Sequence, residues 1–220
     1  WKDCRSGFIH WGCEFEMNPG DTIYIATDCF KNNIKKPMIY FHCDNAYAVG
    51  GDISWLVSYD DVIGKAEPVY DTSDTMHCFS MMFLNEHKLK DISNLVLPAI
   101  VLGPWCYYSM FARTNIKDVS SLELNASKFA NDCYYEMFKE CKFLSGCPKF
   151  NKNGIAEYIA ERINLLSYNN KMLDVRKLEN DISHFCATNF WGSMFWGTPI
   201  GHPRNTNSKN LDKTRHAPLW

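Results

Sequence analysis

Asp181 and His184 are the pair of side chains in this sequence best suited to proton transfer. An imidazole can take a proton near neutral pH, and a neighbouring carboxylate can fix its tautomer and support the imidazolium. They sit in M-L-D-V-R-K-L-E-N-D-I-S-H, where Met172, Leu173 and Val175 read as the tail of a buried strand and Arg176–Asn180 lead into a loop. A D-x-x-H tetrapeptide also arises by chance, so the pair needs a nucleophile and an oxyanion site elsewhere in the chain. Cys29 ends the strand-like run T-I-Y-I-A-T-D-C and could be that nucleophile, or simply half of a disulfide.

The elements that must position these residues are bounded by composition. With 220 residues, one domain with a sizeable core is expected. A net charge of -2 and a pI near 6.4 leave no basic stripe for phosphates, so no nucleic-acid partner is expected. No apolar run approaches the roughly 20 residues of a membrane span. The ten cysteines point to an oxidising compartment, hence to a secreted or luminal protein, with Cys4 and Cys13, and Cys133, Cys141 and Cys147, as plausible disulfide partners. There is no C-x-x-C pair and the histidines are scattered, so neither a metal nor a cofactor is expected. Asn125-Ala126-Ser127 is an acceptor sequon for N-glycosylation.

Along the chain, residues 1–21 read as a disulfide-tied lead-in, 22–196 as the domain and 197–220 as a loosely held tail rich in Pro, Asn, Lys and Gly. Thr22–Thr27, Met38–His42, Leu95–Leu102 and Met172–Val175 read as strands. Phe30–Lys36 reads as a short helix or turn, and Ile53–Tyr59 as the start of a helix. The segment 60–75 is an acidic, turn-rich surface excursion. Leu122–Phe143, with Phe129, Cys133, Met137 and Cys141 at helical spacing, and Gly154–Leu166 read as helices. Alternating strands and helices predict an α/β fold, a three-layer α/β/α arrangement with a mainly parallel sheet. Ligands in such folds bind at the carboxyl ends of the strands, which aligns Asp28-Cys29, Gly50-Gly51, Gly103-Pro104-Trp105 and Asp181/His184 along one rim.

That ordered set of post-strand motifs resembles the SGNH, or GDSL-like, hydrolase superfamily, and within it the PC-esterase-type glycan O-acyl esterases and O-acetyltransferases. The resemblance spans roughly residues 22–190. It implies Cys29 as nucleophile in the Ser place, Gly50 or Gly51 as an oxyanion element, Gly103 with Trp105 in the third block, and Asp181 with His184 in the last. Thr27 replaces the family's Gly and Trp105 its Asn donor. The activity implied is ester hydrolysis or acyl transfer on an acylated glycan or similar ester through a covalent acyl-enzyme, without cofactor. Gly50-Gly51 could equally be a plain turn, and Trp105 and Trp55 either line an acyl or sugar pocket or belong to the core. Two other readings stand beside it. One is an inactive domain of this fold that binds a glycan or a protein. The other is a macro-domain-like ADP-ribose binder, suggested by M-I-Y-F-H-C-D-N-A-Y-A-V-G-G-D and I-V-L-G-P.

Overall fold

The computed structural model describes residues 18–22, 24–25, 39–60, 65–66, 68–155, 157 and 193–200. Its organising feature is a sequence repeat. C-F-S-M-M-F at 78–83 returns as C-Y-Y-S-M-F at 106–111 and C-Y-Y-E-M-F at 133–138, and ends S-M-F at 193–195. L-K-D-I-S-N-L-V-L at 89–97 returns as I-K-D-V-S-S-L-E-L at 116–124. Contacts join residues 27 or 28 positions apart, so successive copies lie on one another as coils of a solenoid.

One wall of each coil is extended. β1 (Tyr47–Asp52) pairs parallel with β4 (Leu89–Val96), and β5 (Glu123–Leu124) pairs parallel with β6 (Lys149–Phe150). Isolated parallel bridges link Asp71 to Val101 and Val101 to Lys128. β2 (Tyr59–Asp60) and β3 (Lys65–Ala66) form a small antiparallel hairpin. A 3-10 turn at Ile53–Leu56 follows β1, capped by Asp52, whose carboxylate accepts from Ser54 N–H at 2.8 Å. Along β4 every third residue is buried, Leu89, Ile92 and Leu95.

The opposite wall is a ribbon of overlapping turns, and its backbone bonding follows from parity. In the first two coils odd-numbered amides bond to the next coil: Phe79 N–H to Cys106 O, Phe83 to Met110 O, Tyr107 to Cys133 O, Ser109 to Tyr135 O and Phe111 to Met137 O, all at 2.7–2.9 Å. In the third the parity reverses, with Phe138 N–H bonding to Met194 O and Glu140 N–H to Trp196 O. The alternate amides close turns within their own coil: Tyr108 to Trp105 O, Met110 to Tyr107 O and Ala112 to Ser109 O, each at 3.2 Å, and in the third coil Tyr135 to Asp132 O, Met137 to Tyr134 O and Lys139 to Glu136 O. A buried wall can thus satisfy its polar backbone without being helix or sheet. The ribbon requires a left-handed residue every fourth position: His77, Met81 and Asn85, then Trp105, Ser109 and Arg113, then Asp132, Glu136 and Glu140, with Ser193 and Gly197 in the last coil. Asn85 is exposed with φ 65°. Asn tolerates that conformation and a β-branched residue does not. Asn85→Val is expected to lower stability by about 1–2 kcal/mol and Asn85→Gly to hold or raise it, measured by urea unfolding.

This four-residue period buries two consecutive side chains and, in the coil at 132–140, leaves the next two partly exposed; in the earlier coils Ser80, Ser109 and Ala112 between the doublets are buried as well. Inward rows stack in register. Phe41, Phe83, Phe111, Phe138 and Phe195 form one near-parallel ladder with centroids 5.2–5.7 Å apart. Phe79, Tyr107 and Tyr134 form a second at 5.5 and 5.6 Å. Met82, Met110, Met137 and Met194 make a third row and Cys78, Cys106 and Cys133 a fourth, all buried. Leu89, Ile92, Leu95, Ile116, Val119 and Leu122 meet them from the extended wall.

Several expectations change. Residues 122–143 are not a helix: the four-residue spacing of Phe129, Cys133, Met137 and Cys141 comes from the turn ribbon. The strand expected at 95–102 lies earlier, at Leu89–Val96. Residues 39–42 make no strand, although Phe41 N–H bonds to Met82 O. At 53–59 the helix is a single 3-10 turn. Cys133, Cys141 and Cys147 do not pair, and the six cysteines among the described residues are free thiols. Those in the ladder are core rungs, a second reason for so many cysteines. The described residues stack as coils, with small parallel sheets and few helices. Most of the helix at 154–166, the strand at 172–175, most of the 1–21 lead-in and most of the 197–220 tail lie outside them.

Candidate functional site

Cys29, Asp181 and His184 lie outside the described residues. The four remaining site candidates fall at two places. Gly50 and Gly51 are in β1, beside β4, with Gly50 opposite Asn94 and Gly51 opposite Leu95. Gly51 has φ 90°, open to glycine, and a Cβ on it would meet nothing.

Gly103 and Trp105 stand where one coil enters the turn ribbon. Gly103 is buried, and its N–H donates to Thr72 Oγ1 at 2.9 Å. Thr72 Oγ1 also bonds Val101 O at 3.1 Å and Cys106 Sγ at 3.4 Å. The Gly103 amide is therefore engaged in holding the preceding coil. Trp105 has φ 54° and faces outward, half-buried, its ring stacked on His77 at 5.0 Å. Burial raises the pKa of the neighbouring Asp132 carboxyl, against an opposing effect of the Trp105 side chain.

Trp105 belongs to an outward aromatic group that sequence reasoning did not assemble. Tyr108 meets His77 edge-on at 6.4 Å and stacks on Tyr135 at 5.8 Å. Farther along the same face Lys139 pairs with Glu136 at 2.7 Å and lies over the Trp196 ring at 4.8 Å, while Arg113 pairs with Glu140 at 2.8 Å. The signal was the register of the repeat: Tyr108 and Tyr135 hold the same place in C-Y-Y-S-M-F and C-Y-Y-E-M-F.

The inward cysteines are unsuited to nucleophilic chemistry. Burial raises the Cys78, Cys133 and Cys141 thiols, and Cys141 is held by Phe111 O at 3.1 Å and by Thr114 Oγ1 at 3.3 Å.

A second polar cluster ties residues 42–47 to the first full coil. The buried Glu86 carboxylate faces His42 Nδ1 at 2.9 Å and accepts from Tyr47 Oη at 3.1 Å and Cys43 N–H at 3.3 Å. His42 Nε2 lies 3.5 Å from Asp44. Glu86 first, and then Asp44, raises the His42 pKa, while burial raises that of Tyr47. With both ring nitrogens facing carboxylates, the protonated form of this imidazole is favoured. A raised folded-state pKa means its stabilising contribution is complete below the unfolded value, near 6.5, and is lost as pH rises through the folded value. The expected result is a loss of stability as pH climbs past neutrality that is absent in His42→Gln, read from urea midpoints across pH. Glu86→Ala, which removes the shared acceptor of His42, Cys43 and Tyr47, is expected to cost about 1–3 kcal/mol.

Among the described residues no group of three His, Cys, Asp or Glu side chains could hold a metal ion. No helix among them is long and apolar enough to cross a membrane. No protein-family model, curated protein or solved structure matches the chain.

Proposed function

We propose that this chain is a recognition module, a solenoid that binds a protein partner across the outward face of its turn ribbon. The observation that carries this reading is the placement of Trp105, Tyr108 and Tyr135 side by side on adjacent coils, half-buried and outward, with Arg113, Glu140 and Lys139 on the same face. Interfaces favour Trp, Tyr and Arg because such side chains bring large contact area and a polar handle. The coil design supports it. Ile92-x-x-Leu95-x-Leu97 and Val119-x-x-Leu122-x-Leu124 follow the spacing of leucine-rich solenoids, whose continuous surfaces suit extended partners. Neighbouring rings on this face cover one another, at 5.0 and 5.8 Å, and so offer edges and hydroxyls more than open faces. That favours a protein over a sugar ring seeking a flat stacking platform.

A displayed peptide library panned on the chain tests this. Enriched clones are expected to lose at least about tenfold in affinity, roughly 1.4 kcal/mol, on the double variant Tyr108→Ser/Tyr135→Ser. Clones that bind the double variant equally well would overturn the reading. So would binding confined to a glycan array. Hydrolysis of p-nitrophenyl acetate that disappears in His184→Ala would replace it with an ester hydrolase built on Cys29, Asp181 and His184.

A further inference from the structure

Four large apolar side chains stand out at one corner of the extended wall: Trp55, 38% exposed, Tyr70, 53%, Val96, 50%, and Ile100, 40%. Backbone contacts gather their segments. Val96 is the register partner of Asp52, at the head of the 3-10 turn that carries Trp55. Val69 N–H donates to Ser54 Oγ at 2.8 Å, and Ile100 N–H donates to Tyr70 O at 2.7 Å. Scattered apolar residues on a surface need no explanation, whereas a gathered set marks a contact site.

The charge around this corner is mainly negative, with Lys128 beside Ile100 as the exception. Asp71 and Asp74 are exposed and Asp52 is half-exposed. Bonds from Ser73 hold Asp71 below the usual carboxylate range, with Lys128 the one base acting on it. Residues 60–75 carry Asp60, Asp61, Glu67, Asp71 and Asp74 against Lys65 alone. An apolar patch beside Asp52, Asp71 and Asp74 complements a segment with an apolar stripe flanked by lysine or arginine.

We propose that the Trp55/Tyr70/Val96/Ile100 corner docks a basic amphipathic segment of a partner protein. The apolar stripe covers the four side chains, and its cations meet Asp71, Asp74 and Asp52. This site is separate from the Trp105/Tyr108/Tyr135 face and stands or falls independently of it.

The test is fluorescence anisotropy with a labelled Leu/Lys amphipathic peptide and its Leu/Glu counterpart. The Leu/Lys peptide is expected to bind, to weaken as salt rises, and to lose at least about tenfold in affinity, roughly 1.4 kcal/mol, with Tyr70→Ser/Ile100→Ser. Asp71→Asn/Asp74→Asn, which leaves the apolar corner intact, is expected to weaken it as well. Tyr108→Ser/Tyr135→Ser is expected to leave it unchanged. Absence of binding, equal binding of the Leu/Glu peptide, or equal binding by the Tyr70/Ile100 variant would overturn the proposal. A wild-type dimer in sedimentation that this variant abolishes would also overturn it, making a second copy the occupant.

Discussion

Phe111→Ala is expected to lower stability by about 3–5 kcal/mol and to blunt the cooperativity of unfolding. Phe111 is fully buried, stacked on Phe83 and on Phe138 at 5.5 Å each. Truncation leaves a cavity that the ladder cannot close, because each ring is fixed by its own coil's backbone bonds to the next. In a solenoid each coil is stabilised chiefly by its neighbours, so removing a central rung separates the coils before it from those after it. Chemical denaturation followed by circular dichroism and by tryptophan fluorescence checks both parts. The two signals coincide in the wild type and separate in the variant. A single shared transition shifted by less than about 1 kcal/mol, the level of an ordinary substitution, would contradict the stacking argument.

Gly103→Ala is expected to be the most damaging single-methyl change in the described fold, costing more than about 4 kcal/mol. A Cβ at Gly103 would run into the carbonyl oxygens of Thr72 and Thr75, backbone atoms that cannot swing aside. The same region carries the Gly103 N–H to Thr72 bond, so the shift needed to admit the methyl would also strand a buried donor. Thr72→Val removes the acceptor without the clash and is expected to cost about 1–3 kcal/mol. Thermal melts of both variants rank the two contributions. Ala130 holds the matching place one coil later, so the demand for glycine arises from Thr72 and Thr75 and not from the repeat itself.

Leu122, Phe129, Cys133, Met137 and Cys141 are buried as their spacing predicts, but the element that carries most of them is a turn ribbon and not a helix. Cys133, Met137 and Cys141 recur every fourth residue, as along a helix stripe, because the turn ribbon also returns its inward side chains every fourth residue. What separates the two is the paired pattern, Cys133-Tyr134 then Met137-Phe138, buried as doublets with outward doublets between them. On the extended wall Leu89, Ile92 and Leu95 fall every third residue, which matches neither alternation nor a helix. Both patterns become legible once 78–97 is laid over 106–124. The acidic character of 60–75 could be read directly. The carboxylate of Glu86 and the outward aromatics Tyr108 and Tyr135 could not, since their partners come from segments that only the stack brings together. For Cys29, Asp181 and His184 the sequence reading stands by itself.

The most direct test of the stacked-coil account is a through-hydrogen-bond NMR experiment on deuterated, isotope-labelled protein. Scalar couplings across N–H···O=C bonds are predicted from Tyr107 to Cys133, Ser109 to Tyr135 and Phe111 to Met137, whose donor–acceptor distances are 2.7, 2.9 and 2.9 Å. These couplings would fix the register that carries Trp105, Tyr108 and Tyr135 to one face. A coupling from Met137 N–H to Cys133 C=O, the bond of an α-helix, would contradict it, and with it the proposed recognition surface.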